Sequence, residues 1–307
     1  MQEFILHHYA GSPFSEKIRL IFGWKGIAWT SVEVPPMLPK PDVVALTGGY
    51  RRTPFLQIGA DIYCDTALMC QVIEAAHPTP TLYPEATRGA AEILAHWADT
   101  ALFWVGVPFT MQPAQLPHMF GNLPPEFIAA FAADRAAMSP NLRRYSTDDA
   151  AAILRTQFAR LENMLGHGQE YLFGTLPCIA DFSLYHIIWY MRRAPISAAL
   201  CDEYPAMTAW FARMTAFGHA TSTKMSSTDA MALAAATIAY AQVAVTGTAT
   251  LAAGQAVTVT PADYAHDAVV GTLIGLTDAS VTISRQDERA GEVHVHFPRT
   301  GYQIKKV

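Results

Sequence analysis

The chain has 307 residues, of which 51% are hydrophobic and 15% are charged, so it can bury large cores and divide into two or three domains. Its formal net charge of −5 argues against a nucleic acid as a partner. Four cysteines without Cys-x-x-Cys spacing indicate buried thiols in a reducing compartment rather than a disulfide framework.

The N-terminus carries neither a basic segment nor a long apolar segment, so no secretory signal is visible. The stretch from Ala230 to Ala262 has no charged residue, but its Thr, Gln and Gly content predicts a short helix and strands rather than a membrane span. We therefore expect a cytoplasmic protein with no membrane partner.

The first motif joins a strand pattern to a helix pattern. Apolar residues from Phe4 to Tyr9 are followed by Ser12, Pro13 and Phe14, and then by an amphipathic helix. Free N–H groups and the helix dipole favour an anion at such a helix N-terminus. The Ser12 hydroxyl can cap this helix or donate a hydrogen bond to a bound sulfur, and the local pattern fits both interpretations.

Two further motifs lie within the next 55 residues. Pro54 stands just before a strand pattern, which makes Thr53-Pro54 a natural site for a cis peptide bond. After a second short strand, Asp65 and Thr66 begin another helix, where they can either cap the helix or hold a charged ligand.

Together, these three motifs resemble the N-terminal domain of cytosolic glutathione transferases. The Ser-Pro-Phe turn is similar to that of the tau, phi and omega branches, the Thr-Pro step to the family's cis-Pro signature, and the Asp-Thr pair to its acidic-Ser pair. The resemblance implies a thioredoxin-like domain, an all-helical domain after it, and a homodimer. A redox role is disfavoured, because the branches that perform it need a Cys in place of Ser12.

The resemblance also implies the site residues. Ser12 would stabilise the glutathione thiolate, and the predicted contacts to glutathione are Phe14, Arg52, Thr53, Pro54, Asp65 and Thr66. Arg52 could pair with the glycyl carboxylate, with Lys40 as a second candidate, whereas we expect Arg51 to be solvated.

Tyr9 is the alternative catalytic group, because some branches use a Tyr at the end of the first strand. Alignment through the helix puts His8 at that position, so we expect Tyr9 to line a pocket instead. The predicted pocket for an apolar electrophile comprises Tyr9, Trp104, Met111 and Phe120, although aromatic residues on helices are most often plain core. His7 and His8 are predicted to be structural.

The predicted secondary structure changes twice along the chain. Residues 1–78 alternate strand and helix patterns, residues 85–218 are helical, and residues 228–307 combine a short helix with strands. The helical region has patterns over residues 87–105, 125–138, 148–165, 181–191 and 204–217, and we expect a loop over residues 107–124.

Strand patterns in the third region cover residues 242–245, 256–260, 269–276, 281–284 and 293–297. Such spacing predicts a small barrel-like module. The predicted fold is thus an α/β thioredoxin-like domain, an all-α domain and a small all-β barrel-like module. Residues 221–227 have the composition of a linker, so we expect few contacts across it and a module that the core does not need.

The function that follows is attack of the glutathione thiolate on an apolar small molecule. Conjugation, dehalogenation, ether cleavage and isomerisation all remain open. The alternative is a non-catalytic glutathione- or ligand-binding protein whose β module binds a partner. His294 and His296 alternate on one strand, but no third ligand stands near them in the sequence, so we predict no metal and glutathione as the co-substrate.

Overall fold

A computed structural model describes residues 3–142, 144–246 and 251–307. The strands in these ranges are β1 (Ile5–His8), β2 (Trp29–Glu33), β3 (Phe55–Ile58), β4 (Asp61–Cys64), β5 (Ser222–Lys224), β6 (Ala256–Pro261), β7 (Val269–Leu276), β8 (Ser280–Asp287), β9 (Gly291–Pro298) and β10 (Tyr302–Lys306).

The α-helices of the first region are α1 (Pro13–Lys25), α2 (Pro41–Thr47) and α3 (Thr66–Ala76). Those of the helical region are α4 (Arg88–Trp97), α5 (Phe103–Thr110), α6 (Leu116–Phe120), α7 (Pro125–Met138), α8 (Thr147–Gly166), α9 (Ile179–Met191), α10 (Pro195–Asp202) and α11 (Pro205–Thr215), and α12 (Ser227–Ala236) precedes the module. A π-helical turn at Ala98–Leu102 joins α4 to α5.

The predicted thioredoxin-like domain, all-helical domain and C-terminal β region are confirmed, but the C-terminal strands continue the thioredoxin-like sheet instead of closing into a separate barrel. The strand order of this sheet is β10-β6-β7-β8-β9-β4-β3-β1-β2-β5, in which β1 pairs parallel to β2 and antiparallel to β3. The module joins this sheet because β9 pairs in parallel with β4. The five module strands therefore extend the thioredoxin-like sheet.

Side chains alternate between the two faces of this sheet, as strand geometry requires. Leu6 and Leu56 face a core shared with α1, α3 and the helical region. Ile5 and Phe55 face a second core, which the module and α12 share with α2. The thioredoxin-like strands are therefore covered on one side by the helical domain and on the other by the C-terminal region.

The expectation that few contacts cross residues 221–227 is wrong. The segment is not a free linker, because β5 lies within it and pairs in parallel with β2. Beyond it, α12 packs on α2, β2 and β9. Hydrophobic side chains of the thioredoxin-like region and of the C-terminal region pack together in one core, so the module is an integral part of the structure.

Two local predictions are wrong, and one strand was not predicted. Residues 242–245 form no strand, and only Val245 makes an isolated bridge, to Leu276. The last strand, β10, had no prediction. The expected loop over residues 107–124 contains the end of α5, a short 3₁₀ turn and α6.

No helix within the described ranges is long and apolar enough to cross a membrane. Residues 247–250 of the uncharged stretch lie outside those ranges.

Candidate active site

Ser12 occupies the N-terminus of α1, and its hydroxyl makes two contacts. The backbone N–H of Ser15 donates to Ser12 Oγ at 3.2 Å, which makes Ser12 the N-cap, with Pro13 at the first helical position. The hydroxyl in turn lies 3.4 Å from the carbonyl oxygen of Thr53, to which it donates. Ser12 is therefore a helix cap, and it also lines a cavity.

The Thr53-Pro54 peptide bond is cis, as predicted. Thr53 contacts both Ser12 and Lys40. Its carbonyl oxygen lies towards Ser12, and its hydroxyl is bound to Lys40. Lys40 Nζ donates to Thr53 Oγ1 at 3.0 Å and to the carbonyl oxygen of Arg51 at 3.3 Å. Burial, aided by the neighbouring Arg135, lowers the pKa of Lys40 to about 8.

Asp65 is the N-cap of α3, and its carboxylate has two donors. The N–H of Ala67 donates to Oδ1 at 2.9 Å, and the hydroxyl of Tyr302 donates to Oδ2 at 3.1 Å. Asp65 and Thr66 line a cavity of about 330 Å³, which we call the Asp65 cavity. Tyr302 belongs to β10, so the C-terminal module reaches the predicted glutathione site.

Arg52 has a carboxylate partner that the sequence did not reveal. It forms an ion pair with Asp263, donates to the carbonyl oxygen of Tyr264, and stacks 3.7 Å from the centre of the Tyr264 ring. A glutathione carboxylate would therefore have to share Arg52 with Asp263. No local signal marks Asp263, Tyr264 or Tyr302 as site residues, because each comes from a turn or strand more than 200 residues away in the sequence.

Arg51 is not solvated, contrary to the expectation. It forms a largely buried ion pair with Asp134 of α7, and the Asp134 carboxylate also accepts from Arg135 Nη1 at 2.6 Å. The pair connects the thioredoxin-like region to the helical region.

The Ser12 cavity has a volume of about 450 Å³ and lies between the two regions. Its wall includes Tyr9, Trp104, Met111 and Phe120, the four residues predicted for an electrophile pocket. Phe14, Arg52, Thr53 and Tyr264 line both this cavity and the Asp65 cavity, so the two adjoin. The Tyr9 hydroxyl lies 3.4 Å from Arg135 Nη2, from which it accepts.

The two histidines of β1 contact opposite sides of the strand. His7 Nε2 lies 2.7 Å from Gln57 Oε1, and His8 is held between Ser31 Oγ at 2.8 Å and Arg19 Nη1 at 3.0 Å. Burial lowers the pKa of His7 to about 4, and burial together with Arg19 lowers the pKa of His8 to about 3. Both rings are therefore neutral near pH 7, which suits a structural role.

The histidines of β9 lie at the seam with β4. His296 Nε2 is 2.7 Å from Asp61 Oδ1, its Nδ1 is 3.0 Å from Thr282 Oγ1, and His294 stacks on Tyr240. Within the described part of the chain, no group of three or more His, Cys, Asp or Glu side chains is arranged to hold a metal ion.

These features define the class: a thioredoxin-like domain packed on an all-helical domain, with a serine hydroxyl at a helix N-terminus in the cleft. A sequence profile for the glutathione S-transferase N-terminal domain matches residues 6–81, and one for the C-terminal domain matches residues 96–213. A GST-like protein from Pseudomonas syringae is 38% identical, with both chains covered over 100% of their length and a TM-score of 0.84. The chain belongs to the glutathione S-transferase family, and the predicted family is confirmed.

More distant solved structures share the fold alone. A glutathione S-transferase from Rhodospirillum rubrum F11 is 18% identical over 69% of this chain and 87% of that chain, with a TM-score of 0.51. The β-etherase LigF from Sphingobium sp. strain SYK-6 is 17% identical over 69% of this chain and 95% of that chain, with the same TM-score. No curated protein matches the chain in sequence. The Pseudomonas syringae likeness differs from these because it extends over the C-terminal module.

Proposed function

We propose that the chain binds glutathione, converts its thiol to a thiolate at Ser12, and directs that thiolate at an electrophile in the Ser12 cavity. One observation carries the proposal: a buried hydroxyl at the N-terminus of α1 opens on a cavity with a largely apolar wall. Family membership supports glutathione as the co-substrate. The dimeric state and the cytoplasmic location remain predictions.

The tripeptide would lie across both cavities. Its γ-glutamyl end would occupy the Asp65 cavity, where the Asp65 carboxylate can receive the ammonium group and the N-terminus of α3 the carboxylate. Its cysteinyl backbone would run beside Thr53. Its glycyl carboxylate would meet Lys40, which lines the Ser12 cavity, or share Arg52 with Asp263.

The Ser12 hydroxyl would then exchange partners. In place of the 3.4 Å contact to the Thr53 carbonyl oxygen, it would donate to the glutathione sulfur. A donor and the positive end of the helix dipole both stabilise the thiolate over the thiol, so the pKa of the thiol falls. The thiolate attacks the electrophilic carbon, a C–S bond forms, and the leaving group departs with its electron pair.

Binding can be tested at Asp65 without disturbing the helix. Asp65→Asn keeps a good N-cap but removes the charge, so glutathione binding should weaken by about 1.5–3 kcal/mol. Asp42→Asn, at an exposed carboxylate on α2, is the control and should leave affinity unchanged. Calorimetry that gives equal affinities for the wild type and Asp65→Asn would contradict this placement of the γ-glutamyl group.

Catalysis needs a separate measurement. Thioether formation from glutathione and an activated aryl chloride, followed by mass spectrometry, should exceed the uncatalysed rate. Tight glutathione binding without turnover across a panel of electrophiles would instead favour the alternative, a non-catalytic binding protein.

A further inference from the structure

The wall of the Ser12 cavity has a charge that a purely apolar substrate does not explain. Among the described residues it carries six cationic side chains and no carboxylate. The six are Lys40, Arg51, Arg52, Arg135, Arg144 and Arg193. The remainder of the wall is largely apolar and aromatic, so these cations face a cavity poor in compensating groups.

Two carboxylates that are not part of this wall offset part of its charge. Asp134 pairs with both Arg51 and Arg135, and Asp263 pairs with Arg52. Lys40, Arg144 and Arg193 have no carboxylate partner within the described ranges. Six cations against two carboxylates leave an excess of four positive charges.

Glutathione offsets only half of this excess. Its thiolate and its glycyl carboxylate would reach the Ser12 cavity with one negative charge each. Its γ-glutamyl end carries both signs and would lie in the Asp65 cavity. About two positive charges therefore remain beside the space left for the second substrate, and they attract an anion.

Arg193 is the cation best placed to meet that substrate. Its Nη1 donates to the carbonyl oxygen of Gly11 at 3.1 Å, which holds the guanidinium next to the Ser12 turn. Its guanidinium carbon lies 5.3 Å from the centre of the Trp189 ring and 5.5 Å from that of Tyr190. Arg193 follows α9, so its position is fixed by a buried helix, and its fork of donors suits a planar carboxylate.

We propose that the electrophile is an apolar, most simply aromatic, molecule that carries a carboxylate or a similar anionic group, and that Arg193 binds this group. The inference rests on the proposed function, since it describes the second substrate of the same site. The apolar wall receives the body of the molecule, Arg193 receives the anion, and the electrophilic carbon is thereby held beside the sulfur at Ser12.

A matched pair of probes tests the proposal. They are para-chloro-meta-nitrobenzoate and its methyl ester, which differ in charge but undergo the same reaction. The glutathione thiolate attacks the ring carbon that bears chlorine, the C–S bond forms, and chloride leaves with the electron pair of the C–Cl bond. Each kcat/KM is divided by the uncatalysed rate constant with glutathione, which corrects for the difference in intrinsic reactivity.

The wild type should favour the acid over the ester by about tenfold or more, the effect of one charge-assisted hydrogen bond. Arg193→Gln should remove most of this preference, whereas Arg193→Lys should keep part of it. Arg192→Gln is the matched control, because Arg192 points to Asp202 and Thr208, away from the cavity, and the preference should not change.

Two results would overturn the proposal. One is a wild type that favours the ester or does not discriminate. The other is an Arg193→Gln variant that loses activity equally on both probes, which would indicate that Arg193 serves the thiolate rather than the substrate.

A binding measurement separates this proposal from the proposed function. With S-methylglutathione present, calorimetry should detect meta-nitrobenzoate and not its methyl ester, and Arg193→Gln should abolish the difference. That result supports the anion site even if no probe is turned over. Equal binding of acid and ester contradicts the anion site even if the enzyme conjugates both.

Discussion

The seam between β4 and β9 offers a quantitative test of how firmly the C-terminal module is joined to the rest of the chain. Asp61 lies on β4 and is 4% exposed. Its Oδ1 is 2.7 Å from His296 Nε2 on β9, and its Oδ2 accepts from the N–H of Ala241 at 2.8 Å. Asp61→Ala therefore removes the acceptor of two donors at once.

The cost of Asp61→Ala follows from the burial of those donors. A buried donor without a partner costs about 1–3 kcal/mol, and His296 is deeply buried. Ala241 is only partly buried, so water can replace its bond and its share of the cost is smaller. We expect the free energy of unfolding to fall by about 2–4 kcal/mol, which lowers Tm by roughly 3–6 °C for a chain of this size.

The assay is thermal unfolding followed by circular dichroism. Asp42→Ala is the control, because Asp42 also links the first region to the module, through Arg289 at 2.7 Å, but this pair is exposed. An exposed pair contributes about 1 kcal/mol or less, so the control should melt within about 2 °C of the wild type. If both variants melted at the same temperature, the seam would not stabilise the molecule as described.

Two further predictions concern the module and Lys40. A chain truncated to residues 1–222 should aggregate, because loss of α12 and β6–β10 exposes the second hydrophobic core. Sedimentation and calorimetry test this, and a soluble product that binds glutathione would contradict it. Raising the pH above about 8 should weaken S-methylglutathione binding several-fold, because Lys40 then loses its proton and the glycyl carboxylate its partner. Lys40→Arg, which stays protonated, should bind with little pH dependence, and an equally steep loss in this variant would exclude Lys40 as the partner.

The site could be predicted from the sequence where its residues are set by local structure. Ser12, Thr53-Pro54 and Asp65 each lie at a strand–helix junction or a strand start, so the order of short patterns was enough to find them. Their partners are set by long-range packing instead. Arg51 meets Asp134, and Arg52 meets Asp263, across 83 and 211 positions of the chain, and no local pattern encodes such pairs.

In the C-terminal module, too, the strands could be predicted from local patterns but their pairing could not. Alternation of apolar residues located β6 to β9, because the period of a strand is a local property. Whether those strands close on themselves or join another sheet depends on the β4 edge, to which β9 is added in parallel. The segment over residues 242–245 has strand composition, yet only Val245 forms a bridge, to Leu276 at the end of β7.

The central claim is that the Ser12 hydroxyl stabilises the glutathione thiolate, and the pKa of the bound thiol tests it most directly. Ultraviolet absorbance of the thiolate, measured against pH, gives this pKa in the wild type, in Ser12→Ala and in Ser146→Ala. Ser146 caps α8 through the N–H of Asp149 at 3.1 Å on the exposed surface, so it controls for the loss of a helix cap.

We predict that Ser12→Ala raises the pKa of the bound thiol by about 1–2 units and lowers turnover by about 10²-fold, with little change in glutathione affinity. Ser146→Ala should change neither the pKa nor turnover. An unchanged pKa in Ser12→Ala, together with loss of turnover in Tyr9→Phe, would contradict this role of Ser12 and identify Tyr9 as the group that stabilises the thiolate.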